Sequence, residues 1–434
     1  MKKYILTFVL VIQILVSCKQ DKEKQVVITN NIAKDMVIKN VSVITMKTNK
    51  LLTDQNVVIK KGKIISISAT KKTDYKNMVI LNGEDKYIMP SLSDAHVHLP
   101  KNEKELEKFL TLNLINGVTK LRSMRGDWKH LEWRNKYNTK TSMYPKLYLS
   151  APPTSRRHNF NNEQIEKYVQ NAKAFDFIKI LSIKNESLFN KLDSLCKVNS
   201  IPIGGHFPNN VSDNQLFKSN YTSFEHLGGL TVQLALFEER MQEIKKNNIF
   251  ICPTLSWYSI GSGRYSYQEL RSQPGMKYIS KKIADNWIEK TKQYRNKLGK
   301  QAYEKEVENE LKKLNNKYQI IKKLNESGIN MLLSPDSSSK YMVAGFGIVG
   351  EMKLLKNAEL SNFEILKMTT VNFANFFNEN YGTIEEGKDA DFIILKDNPL
   401  ENIDALKTIE GVFFNKNYLD KHRLDNLSKT ILLN

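Results

Sequence analysis

His96 and His98 stand two apart in the stretch MPSLSDAHVHLP, Met89 to Pro100. On an extended strand, residues at that spacing point to one face, so the pair presents two imidazoles side by side, as a metal site requires. Alone, such a pair is equally an accident of a strand face. Four further residues occupy or close later apolar runs: Lys179 in DFIKIL, His206 in IPIGGHF, His226 in TSFEHLG and Asp336 in INMLLSPD. Each has a bland reading when taken singly. A strand-end histidine is often a satisfied polar group, and an aspartate before Ser-Ser often opens a turn or caps a helix. Lys179 is more informative, because it lies between Ile178 and Ile180, where an unpaired ammonium is very costly and must be neutralised or paired. The conjunction, in this order, is hard to obtain by chance.

Positioning these residues falls to the segment 90–381, which alternates short apolar runs with helical patterns, the mark of βα units and a parallel sheet. The runs are MPSLSDAHVH, 117–124, 145–152, 176–181, 201–207, 222–228, 249–256 and 329–336. Eight such runs predict an α/β fold with a (β/α)8 TIM-type barrel, whose chemistry gathers at the C-terminal ends of the strands. Short strand patterns with Gly or Asn turns precede it at 36–46 and 56–69 and return at 381–403 and 411–419. Both chain ends, 35–89 and 382–434, are therefore expected to pair into a small composite antiparallel β-sandwich domain. The Lys/Glu-rich stretch 258–328 is helical in pattern and longer than one crossover. It reads either as an extra helical pair over the barrel mouth or as a solvated decoration.

These residues resemble the amidohydrolase superfamily, metal-dependent hydrolases on a (β/α)8 barrel with a small composite β-domain, and the resemblance covers nearly all of the chain after its first residues. DAHVH is similar to the family's first-strand His-x-His, and DFIKI to the strand whose lysine is carboxylated in the two-metal subtype. GGH, FEH and SPDS match the later His, His and Asp positions, and GTIEEGKDADFIIL resembles a specific C-terminal family motif. The strand-four lysine is similar to that of the prolidase-like or imidazolonepropionase-related branch. Ser91 and the Ser334-Pro335 pair depart from the glycine and Gly-Thr usual at those positions.

The resemblance implies that His96 and His98 hold one metal with Asp336, that His206 and His226 hold a second, and that carboxylated Lys179 bridges them. Zinc suits these ligands, as do other divalent metals. It further implies a metal-bridging hydroxide that attacks a polarised carbonyl, with Asp336 as general base and then general acid. The resemblance also implies that His158, after Arg156-Arg157 in the loop 151–159, and Tyr258 meet substrate, where the bland readings are an incidental loop residue and a core aromatic; the two arginines read either as surface or as partners of a substrate carboxylate. His130 and His422 read as surface residues.

The leading expectation is a two-metal hydrolase of amide bonds in dipeptides or N-acyl amino acids. The alternatives are a one-metal hydrolase of cyclic amides or ring deaminase, imidazolonepropionase-like, and a lipoprotein that binds a ligand without turnover.

With 434 residues, 41% hydrophobic and 26% charged, the chain has an ordinary globular composition. Its net charge of +20 comes from lysines spread along the sequence, with no basic block and no zinc-finger, RNP-like or basic-zipper motif. This describes a Lys-rich solvated surface, with attraction to anionic lipid or acidic substrate as the lesser reading; nucleic-acid binding has no support. Residues 1–17 have Lys2 and Lys3, an apolar core and Leu15-Val16-Ser17 before Cys18, which resembles a bacterial lipobox. A signal peptide, lipidation of Cys18, a polar tether over 18–34 and a place in the cell envelope, facing the periplasm or exterior, follow as expectations. Cys196 and Cys252 sit in separate predicted elements and are expected to be buried free thiols.

Overall fold

The computed structural model describes residues 35–69, 75–158 and 160–433, so the signal peptide, Cys18 and the tether lie outside the described residues. Strands β1 (Met36–Ile44), β2 (Leu51–Lys60), β3 (Lys63–Ser68), β4 (Val79–Asn82) and β5 (Tyr87–Pro90) come first. The barrel strands follow as β6 (Leu92–Val97), β7 (Val118–Ser123), β8 (Lys146–Thr154), β9 (Phe177–Ile180), β10 (Ile203–Gly205), β11 (Tyr221–Glu225) and β12 (Phe250–Cys252). Strands β13 (Phe392–Leu395), β14 (Ile409–Phe414) and β15 (Asn417–Asp420) return the chain to the first sheet.

β6 to β12 form one parallel sheet in sequence order. The eighth apolar run does not form a ladder strand, which corrects the expectation of eight. It closes the ring through isolated parallel bridges, Ile251 with Met331 and Val97 with Ser337, and through Leu332 N–H donating to Ile251 O at 2.8 Å and Ala95 N–H to Leu333 O at 3.0 Å. Pro335 has no N–H to give, and Asp336 takes a left-handed φ of 67°, so regular pairing stops where the site begins.

The helices bury the faces that the sequence periodicity marks out. In Glu103–Ile115 the buried positions Leu106, Phe109, Leu110 and Leu114 recur at helical spacing, and the Asn102 side chain caps the start by accepting from Glu105 N–H. Helices Lys281–Leu298 and Lys300–Glu326 make a hairpin about Gly299 within the helical stretch 258–328. The later half of the second helix buries Leu314, Tyr318, Ile321 and Leu324, and Lys317 Nζ lies 4.3 Å above the Tyr258 ring. The pair thus reaches the barrel mouth, while its outer turns stay solvated.

The chain ends do pair, through the antiparallel ladder of β13 with β5, in which Ile393 faces Met89. The outcome differs from an antiparallel sandwich: one continuous mixed sheet, ordered β15-β14-β13-β5-β1-β2-β3, with β4 and β5 both parallel to β1. The sheet curls on a core that includes Ile38, Val57, Ile88, Phe392 and Phe413, and Ile64 N–H donating to Lys388 O brings its far edge back. Asp391, from the Gly-Lys-x-Ala-Asp motif, ties this unit to the barrel. It accepts from Thr119 Oγ1 at 2.8 Å and from Ser91 Oγ, and it is paired with buried Lys120. Ser91, a departure from the family pattern, is thereby a hydrogen-bond donor that glycine would not supply.

Candidate metal centre

Each candidate ligand sits where its strand ends. β6 carries His96 and leads into His98, β9 carries Lys179, and His206 and His226 directly follow β10 and β11. Gly205 holds a φ of 133°, and a Cβ there would lie 2.2 Å from Ile180 O, so only glycine lets β10 close on β9. His206 N–H then donates to that same Ile180 O at 2.9 Å. His226 and Asp336 both have left-handed φ angles, 63° and 67°, which turn them out of strand alternation and toward the barrel axis.

The side chains converge. Ring centroids run His98 to His96 at 5.5 Å, His96 to His226 at 5.0 Å and His226 to His206 at 5.1 Å. Asp336 Oδ1 lies 3.4 Å from His98 Nε2 and 3.7 Å from His96 Nε2, and Lys179 Nζ lies 3.3 Å from His96 Nε2. Asp336 Oδ1 is buried and has no hydrogen-bond partner. His96, His98 and Asp336 also bring one ligand atom each within 4.8 Å of the others. A cluster of imidazoles around an unpartnered carboxylate oxygen is the donor set that a divalent cation would satisfy.

The electrostatics agree. Burial holds the imidazoles neutral, pushing His98 and His226 down to about 3, His206 to about 4 and His96 well below its ordinary value. Neutral imidazoles have no proton to displace on binding metal. Burial likewise lowers the Lys179 ammonium, and it raises Asp336 against the pull of that lysine.

Several residues that fix the ligands were not picked out from the sequence. Glu225 Oε2 bonds His96 Nδ1 at 2.8 Å, which presents Nε2 to the centre. Glu225 Oε1 accepts from Arg122 Nη1 at 2.7 Å, Arg122 Nη2 donates to Ser223 Oγ at 2.7 Å, and the guanidinium lies 4.5 Å from the Phe177 ring. Arg122 is fully buried in β7, where an unpaired guanidinium would be as costly as an unpaired Lys179 ammonium. On the other side, Thr254 Oγ1 lies 2.5 Å from His226 Nδ1. Asp94 accepts from Ser334 Oγ at 2.5 Å and Ser337 Oγ at 2.8 Å, so Ser334, the second departure from the family pattern, clamps the closing segment onto β6.

The remaining candidates divide. Tyr258 lines the cavity over the centre, and its hydroxyl accepts from Leu227 N–H at 3.3 Å. Arg156 lines the same cavity, but His158 and Arg157 do not. The His158 ring instead packs against Phe160 at 5.3 Å and borders a separate surface groove with Trp128. A turn in which His158 N–H donates to Ser155 O at 2.8 Å carries it away, which corrects the expectation of a substrate contact. His130 is also corrected: it is buried and stacks on Trp133 at 4.8 Å. His422 is exposed, and Cys196 and Cys252 are buried free thiols, as expected.

The Amidohydrolase family model matches residues 259–418. An adenine deaminase of Clostridium perfringens (strain 13 / Type A) is 25% identical over 194 residues, 40% of this chain but only 33% of the relative's own length. Among solved structures, a bottromycin amidohydrolase superposes with a TM-score of 0.72 at 20% identity, covering 92% of this chain and 90% of that one. A Xaa-Pro dipeptidase with methionine bound in its active site gives 0.63 at 16% identity, covering 89% and 100%. These structural likenesses show that the barrel and its appended sheet are a shared fold.

Proposed function

We propose that this chain, a member of the amidohydrolase superfamily, is a metal-dependent hydrolase that cleaves amide C–N bonds in dipeptides or N-acyl amino acids. The carrying observation is the contact chain of His98, His96, His226 and His206 beside Lys179 and an unpartnered Asp336 oxygen. It lies at the floor of a cavity of about 800 Å³, a size suited to a small substrate. These four imidazoles, Asp336 and a carboxylated Lys179 would hold two divalent ions, zinc by ligand type, whose chemistry when bound would be polarisation of the carbonyl and acidification of water near neutral pH.

The chain's own groups supply the rest. Asp336 takes the proton of the attacking water and passes it to the departing nitrogen, as a positioned carboxylate can. Glu225 and Thr254 hold His96 and His226 by their Nδ1 atoms and so fix which nitrogen faces the centre. The envelope location on a lipid anchor at Cys18 belongs to the same reading and rests on the sequence of residues 1–18.

The match to adenine deaminases favours a second reading, deamination of a purine ring. Assay of a dipeptide and N-acyl amino acid library against adenine, with and without a chelator, separates the two. The expected outcome is amino acid release that the chelator stops, with no ammonia from adenine. Deamination of adenine beside inert dipeptides would overturn the amide-hydrolase reading.

A further inference from the structure

Above the ligands the cavity wall is lopsided in charge. Arg156 and Lys184 line it, and among the described residues the only carboxylates in its lining are Glu225 and Asp336. Both belong to the floor: Glu225 is committed to Arg122 and His96, and Asp336 stands among the imidazoles. Arg156 sits in the loop after β8, and its backbone N–H donates to Ser182 Oγ at 2.9 Å. That bond fixes the loop against the one following β9, the strand of Lys179. Among the described residues no carboxylate is ion-paired with the Arg156 guanidinium, which is exposed.

The opposite side of the mouth is aromatic. Loops after the third and seventh strands of an eight-membered ring face each other, and the seventh strand, β12, is followed by the helix Leu255–Gly261. This helix presents Trp257, 48% exposed, with its ring 6.2 Å from His226 and 5.2 Å from Tyr258. Its first turn is anchored from behind, because Leu255 and Ser256 N–H groups each donate to a Glu351 carboxylate oxygen at 2.6 Å. An indole with about half of its surface exposed among the described residues therefore stands beside the centre.

We propose that the pocket is bipolar: Arg156 binds the carboxylate of the leaving amino acid, and Trp257 receives an apolar or aromatic acyl group on the far side of the scissile bond. This assignment rests on the hydrolase reading and names its substrate class, N-aromatic-acyl or hydrophobic-aminoacyl amino acids with a free carboxylate. Guanidinium–carboxylate pairing is among the stronger polar contacts available to a ligand, and an aromatic wall takes a planar acyl group with little loss of freedom.

The test uses the full metal-loaded protein with N-benzoylglycine, its carboxamide-capped analogue N-benzoylglycinamide, and N-acetylglycine. The wild type is expected to favour the free acid over the amide by about tenfold or more in kcat/KM, the scale of one charge-assisted contact. Arg156→Met should erase that preference by raising KM for the acid alone, and Trp257→Ala should erase the preference for benzoyl over acetyl. An equal loss on acid and amide in Arg156→Met, or a wild type indifferent to the cap, would overturn the assignment. Cleavage of none of the three removes N-acylglycines from the range of the hydrolase and leaves its dipeptide arm to the library assay. Calorimetric binding of N-benzoylglycine and its amide then still decides the pocket's polarity: tighter binding of the acid, lost in Arg156→Met, supports it, and equal binding refutes it.

Discussion

Lys179→Ala is expected to abolish hydrolysis while leaving the fold intact, and short carboxylic acids such as formate or acetate should restore part of the activity. Lys179 is 3% exposed, and its strand pairs in register with β10. Its Nζ reaches His96 Nε2 at 3.3 Å, in the middle of the donor cluster. Burial lowers its ammonium, which brings the neutral amine, the form that takes up carbon dioxide, within reach at physiological pH. A carbamate would then supply the anion that the cluster's neutral imidazoles lack. Under the proposed reading its removal would withdraw a ligand of the metal centre, and Lewis-acid assistance worth several kcal/mol corresponds to at least roughly a thousandfold in rate. Thermal melting should change little, because the substitution removes a costly buried amine rather than a packed apolar group. A small carboxylate diffusing into the vacated space can replace the bridge. Full activity in the alanine variant would remove Lys179 from the centre.

Arg122→Met is expected to have the largest effect on stability. Its guanidinium is the cationic partner of Glu225, both groups are fully buried, and Glu225 in turn holds His96. Deleting one partner leaves an uncompensated buried charge, at a cost of about 3–5 kcal/mol. The loss should appear as a lower denaturant midpoint with an unchanged slope. Where the variant does not fold, Glu225→Gln carries the same test. It keeps the volume but removes the charge that orients His96, and metal affinity should fall by roughly 10- to 100-fold, as for other residues that orient a ligand from behind. Unchanged metal affinity in Glu225→Gln would show that the imidazole needs no such orientation.

Much of this centre could be read from the chain because its ligands close or occupy apolar runs, and strand order then brings those runs to one rim. Pattern reading reached less far where local hydrogen bonding decides the outcome. The Ser155–His158 turn rotates His158 into another groove, although its position in the loop after β8 suggested substrate contact. The eighth run carries Pro335 and a left-handed Asp336, and it closes the ring through bridges rather than a ladder. Arg122 and Glu225 lay in plain view, charged residues within the buried runs KLRSM and FEH, and the same burial cost that drew attention to Lys179 marks both. The pairing of Asp94 with Ser334 leaves no mark in the sequence, because it spans 240 residues and exists only once the ring is closed. The parallel pairing of β4 and β5 with β1 likewise depends on a register that alternating hydrophobicity leaves open.

The proposed reaction requires a two-ion centre assembled from His96, His98, Lys179, His206, His226 and Asp336. Elemental analysis of the active protein, purified without an affinity tag and assayed on the same sample, decides whether that centre exists. Two divalent ions per chain, rising and falling together with activity on chelation and reloading, is the predicted result. Full activity with one ion or none per chain would contradict it.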